Sequence, residues 1–74
     1  MHELQMTIRS RGGALVRVLG LIERRGFKPT RMEMESMADG SLELAVDVAS
    51  PRPVELLTRQ LQRLQEVECV EVRS

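Results

Sequence analysis

Aromatic side chains are almost missing from this sequence: it has no Trp and no Tyr, and Phe27 stands alone. Small α+β sheets that read single-stranded RNA stack bases on aromatics, so that class of function is excluded. Cysteine and histidine are as scarce. Cys69 by itself rules out an internal disulfide framework and points to a reducing cytosol, so a cytoplasmic protein is expected. One cysteine and a near-terminal His2 cannot furnish the Cys or Cys/His clusters of small metal-carrying domains, so no metal site is expected. Neither sign of charge dominates: eleven basic residues balance eleven acidic ones, without a run of either. Nucleic acid and anionic membranes, which need a concentrated basic patch, are not expected partners. No apolar stretch approaches about 18 residues, and the N-terminus lacks the basic-then-apolar order of a signal peptide.

The same scarcity removes catalysis. A nucleophile beside a base, paired carboxylates in unlike environments or a cofactor cradle is needed, and none is legible. His2 reads as a solvated side chain. Cys69 has no histidine expected nearby and reads as a small space-filling or edge residue. No enzyme is expected.

What is present is a single domain over residues 1–74 with strongly periodic hydrophobicity. A chain of this size buries only about 60–65% of its unfolded surface, so it is marginal alone and gains from association. Residues 3–9 alternate, with Leu4, Met6 and Ile8 on one side and Glu3, Gln5, Thr7 and Arg9 on the other, as a half-buried strand does. The turn SRGG follows. Gly12 and Gly13 permit close backbone approach just before a helix N-terminus, where free N–H groups and the macrodipole favour an anion such as a carboxylate. A plain strand-to-helix turn is the other reading of the same residues.

The helix spans about residues 13–25, with Leu15, Val18, Leu19 and Ile22 as its core stripe. Gly26 reads as its C-terminal stop, with Arg24 and Arg25 at the negative end of the dipole. Ala14 and Leu21 lie along one flank and Val16 along the other, more apolar surface than a core stripe needs. Either this is ordinary surface scatter, or one flank packs against a second chain.

A second strand is expected over residues 27–37, on a sheet edge because Pro29 cannot donate to a ladder. Met32 and Met34 read first as core filling; with Met37 they read alternatively as an adaptable surface. Asp39-Gly40 signals a hairpin turn. The third strand points Leu42, Leu44, Val46 and Val48 one way and Glu43, Ala45, Asp47 and Ala49 the other. Ser50 is expected to cap a second helix whose first turn holds Pro51 and Pro53. That helix runs to about residue 65 on a stripe of Val54, Leu57, Leu61 and Leu64. A last strand over 68–73 buries Val70 and Val72 and turns Cys69 and Glu71 away.

The order is therefore β-α-β-β-α-β. Right-handed crossovers place both helices on one face of a four-stranded antiparallel sheet, a ferredoxin-like α+β fold. The opposite face carries Thr7, Arg9, Glu33, Glu43, Ala45, Asp47 and Glu71, too polar for a second core.

This order, with a Gly-containing first turn followed by Ala14-Leu15, resembles an ACT domain, a small regulatory module that binds amino acids. GALVRVLGLIERRGF is similar to the opening of the small regulatory subunits of acetolactate synthase, also called acetohydroxyacid synthase. RVLGLIERRGF, then RMEM, then ELAVDVASPRPVELLTRQLQRL ending in VECVEV, resembles the short isozyme II type. Longer small subunits carry a further C-terminal domain, which is not expected here.

The resemblance implies a non-catalytic subunit that binds and activates the catalytic large subunit in branched-chain amino acid synthesis. Thiamine diphosphate, Mg and FAD would belong to that large subunit. It also implies side-by-side homodimers with the first helix and second strand near the dyad, and a branched-chain amino acid as the expected effector. That effector would lie at the first-turn loop: Ser10, Arg11, Gly12, Gly13, Ala14 and Leu15. Ala14, Leu21, Met32 and Met34 are the residues expected at the dimer or subunit interface. Valine-responsive members usually carry Asn where Ser10 stands, and Ser lacks the amide pair that holds the amino acid. Short isozyme II subunits respond weakly or not at all to valine, so activation of a large subunit outweighs valine sensing. The alternatives are a free-standing amino-acid sensor and a dimerisation module.

Overall fold

The computed structural model describes residues 2–9 and 12–73. Along the chain lie β1 (His2–Arg9), α1 (Ala14–Arg24), β2 (Lys28–Ser36), β3 (Ser41–Ala49), α2 (Val54–Gln62) and β4 (Val67–Arg73). Among the described residues the strands form one sheet in the order β2-β3-β1-β4, and each neighbouring pair is antiparallel. The expected α+β ferredoxin-like arrangement is the one observed.

Period-two alternation in β1 and β3 builds the floor of the core. Leu4, Met6 and Ile8 pair across with Val46, Leu44 and Leu42, and all but the half-buried Leu42 are buried. Val18, Leu21 and Ile22 of α1 and Val54, Leu57 and Leu61 of α2 belong to the same buried cluster, so both helices cover that one sheet face. Burying each large aliphatic side chain contributes about 1.5–3 kcal/mol. The two central strands therefore hold the domain together.

Helix α1 is rotated relative to its expected stripe. Ala14 and Leu21, read as a spare flank, are only 2% and 7% exposed, because they help seal the chain's own core. Leu15 and Leu19 are half-buried, and Val16 on the opposite flank is 74% exposed. The helix ends as expected. The Gly26 N–H donates to the Glu23 carbonyl at 3.0 Å and the Phe27 N–H to the Ile22 carbonyl at 3.1 Å, the paired bonds of a Schellman turn. Gly26 sits at φ +87°, where a Cβ would be strained.

Core filling by Met32 and Met34 is not what the fold does. Both are in register with core residues of β3, yet they are 43% and 50% exposed. Strand β2 is an edge that reaches beyond the cover of the helices, so its apolar residues stay in water. The ladder slips between Pro29 and Arg31, a bulge where the proline needs no ladder donor, and the Thr30 hydroxyl donates to the Asp47 carbonyl at 3.3 Å. Val72, expected to be buried, is 40% exposed for the same reason on the other edge, β4.

Helix α2 starts later than expected. Pro53 is its N-cap with ψ 130°, and no side chain caps it. A proline disfavours helical dihedrals in the residue before it, here Arg52, and both prolines stand before the helix. Ser50 instead accepts the Arg52 N–H at 3.0 Å, forming a turn. The helix closes at Gln62, earlier than residue 65, because Arg63 and Leu64 bond three residues back, to Gln60 and Leu61.

Candidate functional site

Strand β1 ends at Arg9 and a turn at Gly12 and Gly13 leads into α1; Ser10 and Arg11, expected in the effector loop, lie outside the described residues. Gly13 is the N-cap of α1 at φ 79° and ψ 3°, a left-handed conformation that suits glycine. Among the described residues no side chain caps the helix, and its first turn holds no acidic residue. The first N–H groups of α1 therefore lack intrahelical acceptors and face outward with the positive end of the dipole.

A second element closes on this turn. The Arg9 N–H donates to the Glu66 carbonyl at 2.7 Å, which holds the α2–β4 turn beside the end of β1. Glu66 is 8% exposed, and its carboxylate accepts from Arg17 Nε. Arg17 also donates from Nη2 to the Gly12 carbonyl at 3.2 Å. A Cβ on Gly13 would stand 3.5 Å from Arg17 Nη1, so the guanidinium folds back over the turn. Arg17 and Glu66 thus brace the loop, a role the sequence did not signal because they lie 49 positions apart.

The six loop residues expected to hold an effector are not alike. Gly12 and Gly13 are exposed at the turn, Leu15 is half-buried against the core and Ala14 is sealed into it. Among the described residues of the loop, the backbone at Gly12 and Gly13, with the N–H groups that follow, presents the polar atoms. The N–H groups at the start of a helix carry the positive end of its dipole and favour an anion, while the Arg17 guanidinium beside them is already paired with Glu66.

The other expected locus is the α1–β2 edge. Leu19 and Glu23 face Pro29, Thr30, Arg31 and Met32 across a shallow groove of about 290 Å³. Met32 and Met34 continue it along β2, whose outer backbone edge has no neighbouring strand among the described residues. Ala14 and Leu21 contribute almost no surface here. On the helix the available apolar flank is Val16, Leu15 and Leu19.

No group of three or more His, Cys, Asp or Glu placed to hold a metal occurs among the described residues. Among the described residues no helix is long and apolar enough to cross a membrane. Cys69 is exposed on β4, with its Sγ 3.5 Å from Thr7 Oγ1, an edge residue as one of the expected readings had it.

Known proteins match this geometry. A family model for the ACT domain matches residues 10–70. The acetolactate synthase isozyme 2 small subunit of Escherichia coli (strain K12) is 36% identical over 67 residues, covering 89% of this chain and 77% of that protein. The corresponding subunit of Shigella flexneri matches to the same extent. Among solved structures, the acetolactate synthase small subunit of Thermotoga maritima superposes with a TM-score of 0.84 at 25% identity, over 96% of this chain and 45% of that one. The ACT domain of GTP pyrophosphokinase from Chlorobium tepidum superposes with a TM-score of 0.82 at 15% identity, over 97% and 95%, a likeness of fold alone. The order of elements, the glycine turn before α1 and these relatives agree, and the chain belongs to the ACT domain family, among the isozyme 2 type small subunits of acetolactate synthase.

Proposed function

We propose that this chain is a non-catalytic regulatory subunit that binds and activates the catalytic large subunit of acetolactate synthase. The observation that carries the reading is the 36% identity to the isozyme 2 small subunit across 89% of this chain. Thiamine diphosphate, Mg and FAD belong to the large subunit on this reading, and this chain contributes binding and positioning. Two copies pair through the α1–β2 edge, which covers Met32, Met34 and the Val16 flank. An amino-acid effector would take the turn at Gly12 and Gly13, its carboxylate on the N–H groups that open α1. Ser10 in the position of the usual Asn makes valine a poor candidate for that place.

Co-expression with the acetolactate synthase large subunit of the same organism tests the reading. The expected result is co-elution as one complex with synthase activity above that of the large subunit alone. Separate elution with unchanged activity refutes it. If, in that case, one of the twenty amino acids raises the melting temperature, the chain is a free-standing sensor; ligand at 100 times its dissociation constant adds about 2.7 kcal/mol.

A further inference from the structure

The helix layer carries a patch that neither the glycine turn nor the β2 edge uses. Leu56, Arg59, Gln60 and Arg63 recur at helical spacing along one side of α2 and its C-cap, Arg52 joins them from the segment before the helix, and the C-terminal end of α1 adds Arg25 and Phe27. Together they line a hollow of about 310 Å³. Leu56 is 51% exposed in the middle of the stripe. Arg25 Nη2 donates to Gln60 Oε1 at 3.3 Å, joining the rims of the two helices. Arg52 lies across the end of α1, its Nε 3.3 Å from where a Cβ on Gly26 would be.

These arginines differ from the others in what they face. Arg9, Arg17 and Arg31 each have a carboxylate in ion-pairing distance, Glu68, Glu66 and Glu33. Among the described residues no ion pair reaches Arg25, Arg52, Arg59 or Arg63, and Glu55, one turn before Arg59, makes none with it. The patch thus gathers four guanidiniums around an exposed leucine without a counter-charge. Arginine is enriched at protein interfaces, and an exposed apolar side chain ringed by polar groups matches their layout of apolar centre and polar rim. Water solvates the arginines in the free chain but leaves Leu56 unburied.

We infer that this face docks a partner-protein surface that sets carboxylates around an apolar side chain. The inference rests on the function proposed above, so that partner is the catalytic large subunit. Charge complementarity and the buried leucine both act in such a contact. A nucleic acid would use the charge but not Leu56, and Phe27, at 3% exposure, offers no stacking face. A second copy of this chain would meet it with the acidic open sheet face, a heterologous contact separate from the self-complementary pairing proposed at the α1–β2 edge.

The test measures affinity for the large subunit of the same organism at low and high salt, with melting curves to verify folding. Arg59→Glu with Arg63→Glu, and separately Leu56→Ser, are expected to weaken binding about tenfold or more, while Glu71→Arg on the opposite face leaves it unchanged. Wild-type affinity is expected to fall as salt rises. Full affinity in both variants, with the wild-type complex intact, overturns this inference and leaves the regulatory function standing. No wild-type complex overturns both. Inorganic pyrophosphate or a single-stranded oligonucleotide that binds through Arg59 and Arg63, with large-subunit affinity unchanged in the variants, overturns it in favour of a small anion or a nucleic acid.

Discussion

At the β2–β3 hairpin a single carboxylate organises the turn. Asp39 Oδ1 accepts from the Ser41 hydroxyl at 2.6 Å and from the Ser41 N–H at 3.0 Å. These bonds, the hydroxyl first, hold the Asp39 carboxyl below its ordinary pKa. The unfolded chain therefore binds the proton more readily than the folded one. The stabilisation is present above the ordinary carboxylate range and is lost as pH falls through the lowered folded value. Melting curves of the wild type and Asp39→Asn from neutral to acid pH check this, and the variant is expected to lose less stability on acidification. The Asp-Gly signal made the turn legible in the sequence, because the bonding partner is two residues away. Arg17 and Glu66 were not legible as a pair. Their contact depends on how the α2–β4 turn folds against the end of β1, which no local pattern encodes.

Elements were legible where local chemistry starts or stops them. The Schellman end of α1 follows from Gly26 alone, and Gly26→Ala is expected to cost about 1–2 kcal/mol for a side chain in the left-handed region. A thermal melt reads this as a fall of several degrees, since about 1 kcal/mol corresponds to roughly 4–8 °C in a domain of this size. The Cβ would also press on Arg52, whose flexible guanidinium can move aside. Helix α2 starts a few residues later than its sequence suggests because two rules compete at the SPRP stretch. Proline is welcome in a first helical turn, but it also expels the residue before it from helical dihedrals, and at Pro53 the second effect wins. The rotation of α1 was beyond a helical wheel. A wheel ranks faces by hydrophobicity, and this helix is apolar over most of its circumference.

For the whole molecule, a net charge of zero conceals a strong asymmetry. Register puts Glu3, Glu33, Glu35, Glu43, Asp47 and Glu71 on the open sheet face with only Arg9, Arg31 and Arg73, and sets Glu35 directly opposite Glu43. Most remaining basic residues belong to the helix layer and its loops. Acidic and basic surfaces thus lie on opposite sides of a domain that is apolar along the α1–β2 edge. Pairing through that edge would bury surface that a chain of this size leaves in water, so the melting temperature is expected to rise with protein concentration. Met32→Glu combined with Met34→Glu is expected to abolish that rise and leave a monomer in sedimentation. A wild-type melting temperature independent of concentration would refute pairing.

The sequence by itself determined the order of elements and the sheet with helices on one face, since these rest on periodicities and turn residues that act over a few positions. It determined the family through its resemblance to known small subunits. It also determined that Gly12 and Gly13 open α1. Tertiary structure decided which apolar residues are spare. Ala14 and Leu21 vanish into the core, while Val16, Met32 and Met34 remain outside, because burial depends on where one element ends over another. It decided equally that Arg25, Arg52, Arg59 and Arg63 meet: their positions are scattered along the chain, and only the packing of α1 against α2 makes them one surface.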